Sequence, residues 1–245
     1  QILKLLNIKY IILRKNDDLQ KIKKLINVAK KKSLQVACLI EKGTLIKNIK
    51  VKIIKNKFKV LRSEFIINLL KNVKTKSKII STTGYTSREL YQIRKDKNLN
   101  KGKDFYMVGG MGHSGSVAAT YSCFKNEETI CLDGDGSLLM HMGSIFTSGN
   151  ISSSKYKYIL LNNNVHESVG NQKTNINQLN LKNLSKNFNF KNYFLIKENK
   201  NMDKVIKNFL DAKGPSFLEV KIKNESMKNL VRPKDFIEIK NKFVG

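Results

Sequence analysis

Cysteine, arginine, acidic side chains and long apolar runs are all scarce in this 245-residue sequence. Its three cysteines, Cys38, Cys123 and Cys131, are odd in number and form no Cys-x-x-Cys pair. That excludes a disulfide framework. Cys38 and Cys131 stand in apolar, strand-like runs, which fits free buried thiols in a reducing compartment. No apolar stretch reaches the roughly 18 residues that span a bilayer, and no signal-peptide pattern opens the chain. No membrane partner is expected, and the expected location is cytoplasmic. The first residue is Gln1 rather than methionine, and structured-looking sequence follows at once. The expectation is a fragment of a longer chain.

Acidic residues number 19 against 47 Lys and Arg, a formal charge of +28. Only five of the basic residues are arginine: Arg14, Arg62, Arg88, Arg94 and Arg232. A basic excess suits nucleic acid when it clusters on one face. Here the lysines run the whole length beside an excess of Asn and Ile, the bias of an A- and T-rich coding sequence. Nucleic acid is therefore not the expected partner, although a lysine-rich nucleic-acid-binding α/β protein is the rival reading from another class. The field is expected to draw anionic substrates and cofactors. Hydrophobic residues make up 40%, enough for a core. The length allows one large α/β domain with part of another.

The apolar pattern predicts a strand over 8–13, a helix over 17–32 and a strand over 34–40. Two strands and a helix cannot close a core, so 1–46 reads as the tail of a second α/β domain. Residues 47–61 are polar and Lys-rich and read as a linker. The main domain, 62–245, opens with Ser63 as the N-cap of a helix over 64–73. Strands follow over 78–82, 104–108, 129–132, 156–161, 193–196 and 216–222. Helices are expected over 87–94, 114–124, 137–147, 179–187 and 202–212, with a long polar loop over 162–175. Strands alternating with helices indicate an α/β fold with a doubly wound, mostly parallel sheet.

Gly134-Asp135-Gly136, then 25 residues, then Asn162-Asn163-Asn164 is the most informative spacing. An apolar strand leads into each half. An acid and an amide thus come to the carboxyl ends of two parallel strands, where open α/β sheets bind ligands. A carboxylate, an amide oxygen and a nearby backbone carbonyl are hard ligands suited to Mg²⁺ holding cofactor phosphates. Gly110-Met111-Gly112-His113-Ser114-Gly115 fits G-x-G-x-x-G, with Asp133 18 residues beyond Gly115. Alone it reads as a dinucleotide site, but that reading gives no role to Asp135, Gly136 or the asparagines. A single diphosphate cradle uses all of them.

These motifs resemble thiamine diphosphate (TPP) enzymes, and in particular the phosphonopyruvate decarboxylases. The likeness is carried by Ser81-Thr82-Thr83-Gly84-Tyr85-Thr86-Ser87-Arg88-Glu89-Leu90, by the turn Gly110-Met111-Gly112-His113, and by residues 132–144 around Asp135. It continues through His166-Glu167-Ser168-Val169-Gly170-Asn171-Gln172, Gly214-Pro215-Ser216-Phe217-Leu218-Glu219-Val220 and Arg232-Pro233, and begins as early as Glu41-Lys42-Gly43-Thr44.

The resemblance implies that Asp135 and Asn163 give side-chain oxygens to Mg²⁺ and Val165 its carbonyl. Thr83, Gly84 and Tyr85 would touch the diphosphate. Gly110, Met111, Gly112 and His113 would form the cofactor turn, with Met111 holding the cofactor bent. Gly134, Gly136 and Ser137 would complete the cradle at a helix start. His113 and His166 would be the catalytic candidates, His141 a structural histidine, and Glu167 an ordinary exposed acid. The implied reaction is decarboxylation of a 2-oxo acid, phosphonopyruvate to phosphonoacetaldehyde, with sulfopyruvate decarboxylation as the alternative. Residues 1–46 would be the last third of a pyrimidine-binding domain. The glutamate that activates the cofactor would lie upstream, and no residue here takes its role. The active site would form with the pyrimidine-binding domain of another subunit in a homo-oligomer, leaving this chain inactive alone. Three positions depart from the family: Asn164 and Asn171 replace glycines, and Lys173 replaces a proline. Asparagine tolerates left-handed backbone angles; losing the proline should loosen the loop.

Overall fold

The computed structural model describes residues 1–45, 56–97, 99, 102–125 and 127–245. The chain divides into two units, Gln1–Lys52 and Ile53–Gly245. The first holds α1 (Ile2–Leu5), β1 (Lys9–Leu13), α2 (Gln20–Lys32) and β2 (Val36–Ile40). The two strands pair in parallel, Lys9 opposite Val36. Helix α2 starts later than its sequence predicts because Asp17 and Asp18 hold the preceding turn. Asp17 accepts from the Arg14 amide and Lys21, and Asp18 from the Gln20 amide. Among the described residues of this unit, only Leu13 and Leu25 are buried, while Ile12, Leu39 and Ile40 on the strands remain exposed.

The second unit contains α3 (Arg62–Asn72), β3 (Lys78–Ser81), α4 (Tyr85–Asp96), β4 (Lys103–Tyr106), α5 (Ser114–Lys125), β5 (Thr129–Gly134), α6 (Asp135–Met140) and α7 (Met142–Ile151). It continues with β6 (Tyr156–Asn162), a 3₁₀ turn (Ile176–Gln178), α8 (Leu181–Asn187), β7 (Asn192–Ile196), α9 (Met202–Asp211), β8 (Ser216–Lys221) and α10 (Phe236–Val244). Its six strands are all parallel, in the order β4-β3-β5-β6-β8-β7. This is the expected doubly wound α/β fold.

The two-residue period of the strands builds a core on each face. Ile159 and Leu161 of β6 join Phe65, Ile66 and Leu69 of α3, Leu90 of α4 and Phe209 of α9. Tyr158 and Leu160 of the same strand face the other way, toward Ala118 and Ala119 of α5, Ile145 of α7 and Phe243 of α10. Each fully buried side chain of this size contributes about 1.5–3 kcal/mol. From β3 the chain moves outward to β4, then crosses back to β5 on the other side of β3. That reversal opens a crevice at the carboxyl ends of β3 and β5.

Several predicted boundaries shift. Helix α3 begins at Arg62 rather than after Ser63, because the Glu64 carboxylate accepts the Leu61 amide at 3.3 Å and sets the cap one residue pair earlier. The helix expected over 137–147 stops and restarts at His141, whose φ of −138° and ψ of 43° are not helical. Helix α10 was not predicted; Asp235 caps it by accepting the Glu238 amide at 2.9 Å. Most of the linker expected over 47–61 falls on residues 46–55, outside the described residues. Its described end is fastened: Val60 is fully buried and bridges to Ile222. Of the cysteines, only Cys131 is buried; Cys38 is half-buried and Cys123 exposed. No helix among the described residues is long and apolar enough to cross a membrane.

Candidate functional site

A cleft of about 90 Å³ opens at the β3/β5 crevice. Thr82, Thr83 and Tyr85 line it from the turn after β3, Gly134, Asp135, Gly136 and Ser137 from the end of β5, and Asn163, Val165 and His166 from the segment after β6. Gly84, with φ of 93°, makes the turn into α4 at a backbone angle that side chains resist.

The turns are tied together through one hydroxyl. Thr82 Oγ1 donates to Ser137 Oγ at 2.9 Å, and the same oxygen accepts the Gly112 amide at 3.0 Å. Ser137 thus joins the segments that follow β3, β4 and β5. Gly136 allows a close approach. A Cβ there would lie 2.5 Å from the His166 ring and 3.2 Å from Met111 Cε. Met111 and His166 therefore close over its bare backbone.

Asp135 is buried, and Thr174 Oγ1 donates to its Oδ2 at 2.7 Å. Burial pushes its carboxyl above the usual carboxylate range, against the lowering effect of Thr174 and the Gly136 and Asn164 amides. It has no ion-pair partner among the described residues. Asn163 Oδ1 accepts the Val165 amide at 3.1 Å, while the Val165 carbonyl accepts no hydrogen bond from the described residues.

The polar loop after β6 is a small hairpin. The His166 amide donates to the Gln172 carbonyl at 2.8 Å, and the Thr174 amide to the Asn164 carbonyl at 3.0 Å. Asn164 and Asn171 both take left-handed angles, φ of 64° and 66°. These are the two positions where asparagine stands for the family's glycine, and the backbone there asks for a residue that tolerates the left-handed region.

Arg62 reaches the cleft from α3. It is one of five arginines in a lysine-rich chain, the one signal that singled it out. Its Nη1 donates to Glu89 at 2.9 Å and its Nη2 to Glu167 at 2.5 Å, with 4% of its side chain exposed. Burial opposes the guanidinium charge, but the two carboxylates outweigh it and hold its pKa above the ordinary value. Burial likewise pushes the Glu89 carboxyl up, against the pull of Arg62. Glu167 is thus no ordinary exposed acid, since 12% of its side chain meets solvent.

Of the expected site residues, Thr83, Tyr85, Met111, Gly134, Asp135, Gly136, Ser137, Asn163, Val165 and His166 line this cleft. Gly84, Gly110, Gly112 and His113 do not. His113 borders a separate apolar hollow with Val108 and Phe236, and its ring lies 4.3 Å from that of His141. Sequence reading missed Arg62, Thr82 and Thr174. It also offered Asp133 as a ribose-binding acid; that carboxylate is buried between the Tyr158 hydroxyl and the Gly134 amide, at 2.8 and 2.9 Å.

Residues 82–220 match the family described as thiamine pyrophosphate enzyme, C-terminal TPP binding domain. The chain belongs to this family. As a member it carries the TPP-binding fold, and the dinucleotide reading falls away. It is 31% identical over 183 residues to a sulfopyruvate decarboxylase subunit beta from Methanococcus maripaludis, covering 74% of this chain and 94% of that one. A protein with the same name from Methanocaldococcus jannaschii is 37% identical over 113 residues, 46% of this chain and 57% of its own length. A phosphonopyruvate decarboxylase from Streptomyces viridochromogenes is 29% identical over 166 residues, 68% of this chain and 41% of its own length. The chain therefore spans less than two thirds of the last two relatives.

Proposed function

We propose that this chain is the diphosphate-binding part of a cytoplasmic, TPP- and Mg²⁺-dependent decarboxylase of a 2-oxo acid with a terminal phosphonate or sulfonate. The observation that carries this reading is Asp135: a buried carboxylate in no ion pair among the described residues, with only a coulombic pull from the His166 ring, in one cleft with Asn163 and Val165. A divalent cation supplies a counter-charge, and the donor set consists of hard oxygens. The residues present fit the metal. Asp135, Asn163 and the Val165 carbonyl would hold it. The N-terminus of α4, with Thr83 and Tyr85, would favour the cofactor's diphosphate.

Bound TPP would supply the electron sink for the bond to the departing carboxylate. The rest falls to the chain. The substrate loses CO₂, and the carbon that carried it takes up one proton to give an aldehyde. His166 lines the cleft and is the better placed of the two histidine candidates for handling that proton; His113 would act only through a contact outside the cleft walls. Met111, closing with His166 over Gly136, would hold the cofactor and keep water out.

Phosphonopyruvate remains the first substrate to try. The sulfonate reading is favoured by the alignment that covers 94% of a sulfopyruvate decarboxylase subunit beta. Unit Gln1–Lys52, with two buried residues among those described, suits a piece of a pyrimidine-binding domain. The complete pyrimidine-binding domain, with the activating glutamate, would come from another subunit, in a homo-oligomer or a two-subunit enzyme. The chain alone would then be inactive.

Titration of TPP into the chain with and without Mg²⁺ tests the reading, followed by turnover of both substrates with a pyrimidine-domain partner supplied. Binding that needs Mg²⁺ supports it. No TPP binding, together with steeply salt-dependent association with DNA or RNA, would replace it with the nucleic-acid reading. Robust decarboxylation by the chain alone would remove the two-subunit part.

A further inference from the structure

Glu167 sits at the end of a buried chain of charged groups. Arg62 bridges Glu89 and Glu167, and the Glu167 Oε2 that accepts Arg62 Nη2 also accepts Asn163 Nδ2 at 3.0 Å. On its other side, Asn163 Oδ1 accepts the Val165 amide at 3.1 Å. An amide side chain has a donor end and an acceptor end. With the Asn163 amide turned over, its oxygen would face the Glu167 carboxylate and its NH₂ the Val165 N–H. Two repulsive pairs would replace two hydrogen bonds. An ion-paired carboxylate only accepts, so it selects a single orientation. A cation must meet oxygen, since an NH₂ group turned toward it would repel it.

We propose that Glu167, anchored by Arg62, is a positioning residue that holds the Asn163 amide with its oxygen available to the divalent cation. This rests on the reading of Asn163 as a cation ligand. Arg62 serves by ion-pairing the same Glu167 oxygen, which keeps it an acceptor toward Asn163. Its own hold on Glu89, which also accepts the Met227 amide at 3.1 Å, keeps it in place. The sequence separation is wide: Arg62 and Glu167 are 105 residues apart, while Glu167 follows Asn163 by four.

The test uses Mn²⁺ in place of Mg²⁺, with TPP and the full 245-residue chain. Free Mn²⁺ is read by electron paramagnetic resonance, independently of turnover. Glu167→Leu keeps much of the shape but has no acceptor, so the Asn163 amide loses the contact that fixes it. Mn²⁺ affinity is expected to fall by about 10–100-fold, the usual effect of losing a group that orients a metal ligand. Glu167→Gln can place its one side-chain oxygen where Oε2 stands, accept from both Arg62 and Asn163, and keep the amide as it is. Its affinity should stay within severalfold of wild type, a rescue by the conservative variant. Asn163→Asp sets two carboxylates against each other and should weaken binding as Glu167→Leu does. Equal affinity in wild type and Glu167→Leu, or a Glu167→Gln that falls as far as Glu167→Leu, overturns the positioning role alone. A wild-type chain that takes up no Mn²⁺ with TPP overturns the cofactor reading and this inference with it. Should Glu167→Leu fail to fold by circular dichroism, Asn163→Asp against wild type and Glu167→Gln still decides it.

Discussion

Thr174 Oγ1 donates to Asp135 Oδ2 at 2.7 Å across 39 residues of sequence. This bond ties the far end of the hairpin after β6 to the start of α6. Among the described residues it is the one side-chain hydroxyl that donates to the buried carboxylate. A hydrogen bond to a charged group is worth about 1.5–3 kcal/mol. Thr174→Val, which keeps the shape, should lower stability to urea by an amount of that order. It should also weaken Mg²⁺-dependent TPP binding, because the hairpin carrying Val165 loses its tie. Unchanged stability and binding together would show that Asp135 does not need this donor.

Asp135→Ala separates stability from binding. The carboxylate is buried in no ion pair among the described residues, and burial outweighs the pull of the His166 ring, so its removal relieves a desolvation cost. Stability is expected to hold or rise, while metal-dependent TPP binding disappears. Calorimetric titration beside thermal melting checks both. Retained binding would remove Asp135 from the metal site.

Gly136→Ala should have a similar divided effect. Alanine favours a helix over glycine by about 0.5–1 kcal/mol, and residue 136 lies in α6. The new Cβ would nevertheless sit 2.5 Å from the His166 ring and 3.2 Å from Met111 Cε. Both side chains must move out of the cradle. TPP affinity is expected to fall by about tenfold, equivalent to about 1.4 kcal/mol, with little loss of fold. An affinity equal to wild type would show that the Met111–His166 closure is not part of the site.

Lys173→Pro installs the residue that the resemblance implies at this position. The hairpin bonds on either side of this position use the amides of His166 and Thr174, and Lys173 faces Val165 in the bridge between them. Its own amide is not one of the paired donors. Proline should therefore stabilise the chain by about 0.4–1 kcal/mol through the unfolded state. A lower urea midpoint would mean that the backbone angle at 173 does not suit proline.

The layout of the main domain was legible in the sequence because strand and helix periods are local. Ile, Leu and Tyr runs within 78–81, 129–134 and 156–162 needed only their own neighbours to be read as strands. The Asp135 and Asn163 pair was legible for a related reason: each lies just beyond such a strand, and parallel pairing of β5 with β6 brings their ends together. At Asn164 and Asn171 the resemblance implied glycines, and the backbone takes the left-handed angles that asparagine tolerates.

Other parts depended on contacts that no local pattern records. The break at His141 divides what the sequence presents as one helix. Thr82, Gly112 and Ser137 meet at one hydroxyl only because the strand order reverses at β3 and β5. Arg62, Glu89 and Glu167 come from three separate segments, and each looks like a surface charge in a chain of net charge +28. Burial is what turns them into a network, because a desolvated charge must find its partner or be neutralised. The sequence by itself determined the fold class and which acid and amide stand at the strand ends. The tertiary structure alone decided which donors hold that acid, and which ion-paired carboxylate accepts the amide NH₂, because the Thr174 to Asp135 and Arg62 to Glu167 contacts join segments far apart in the chain.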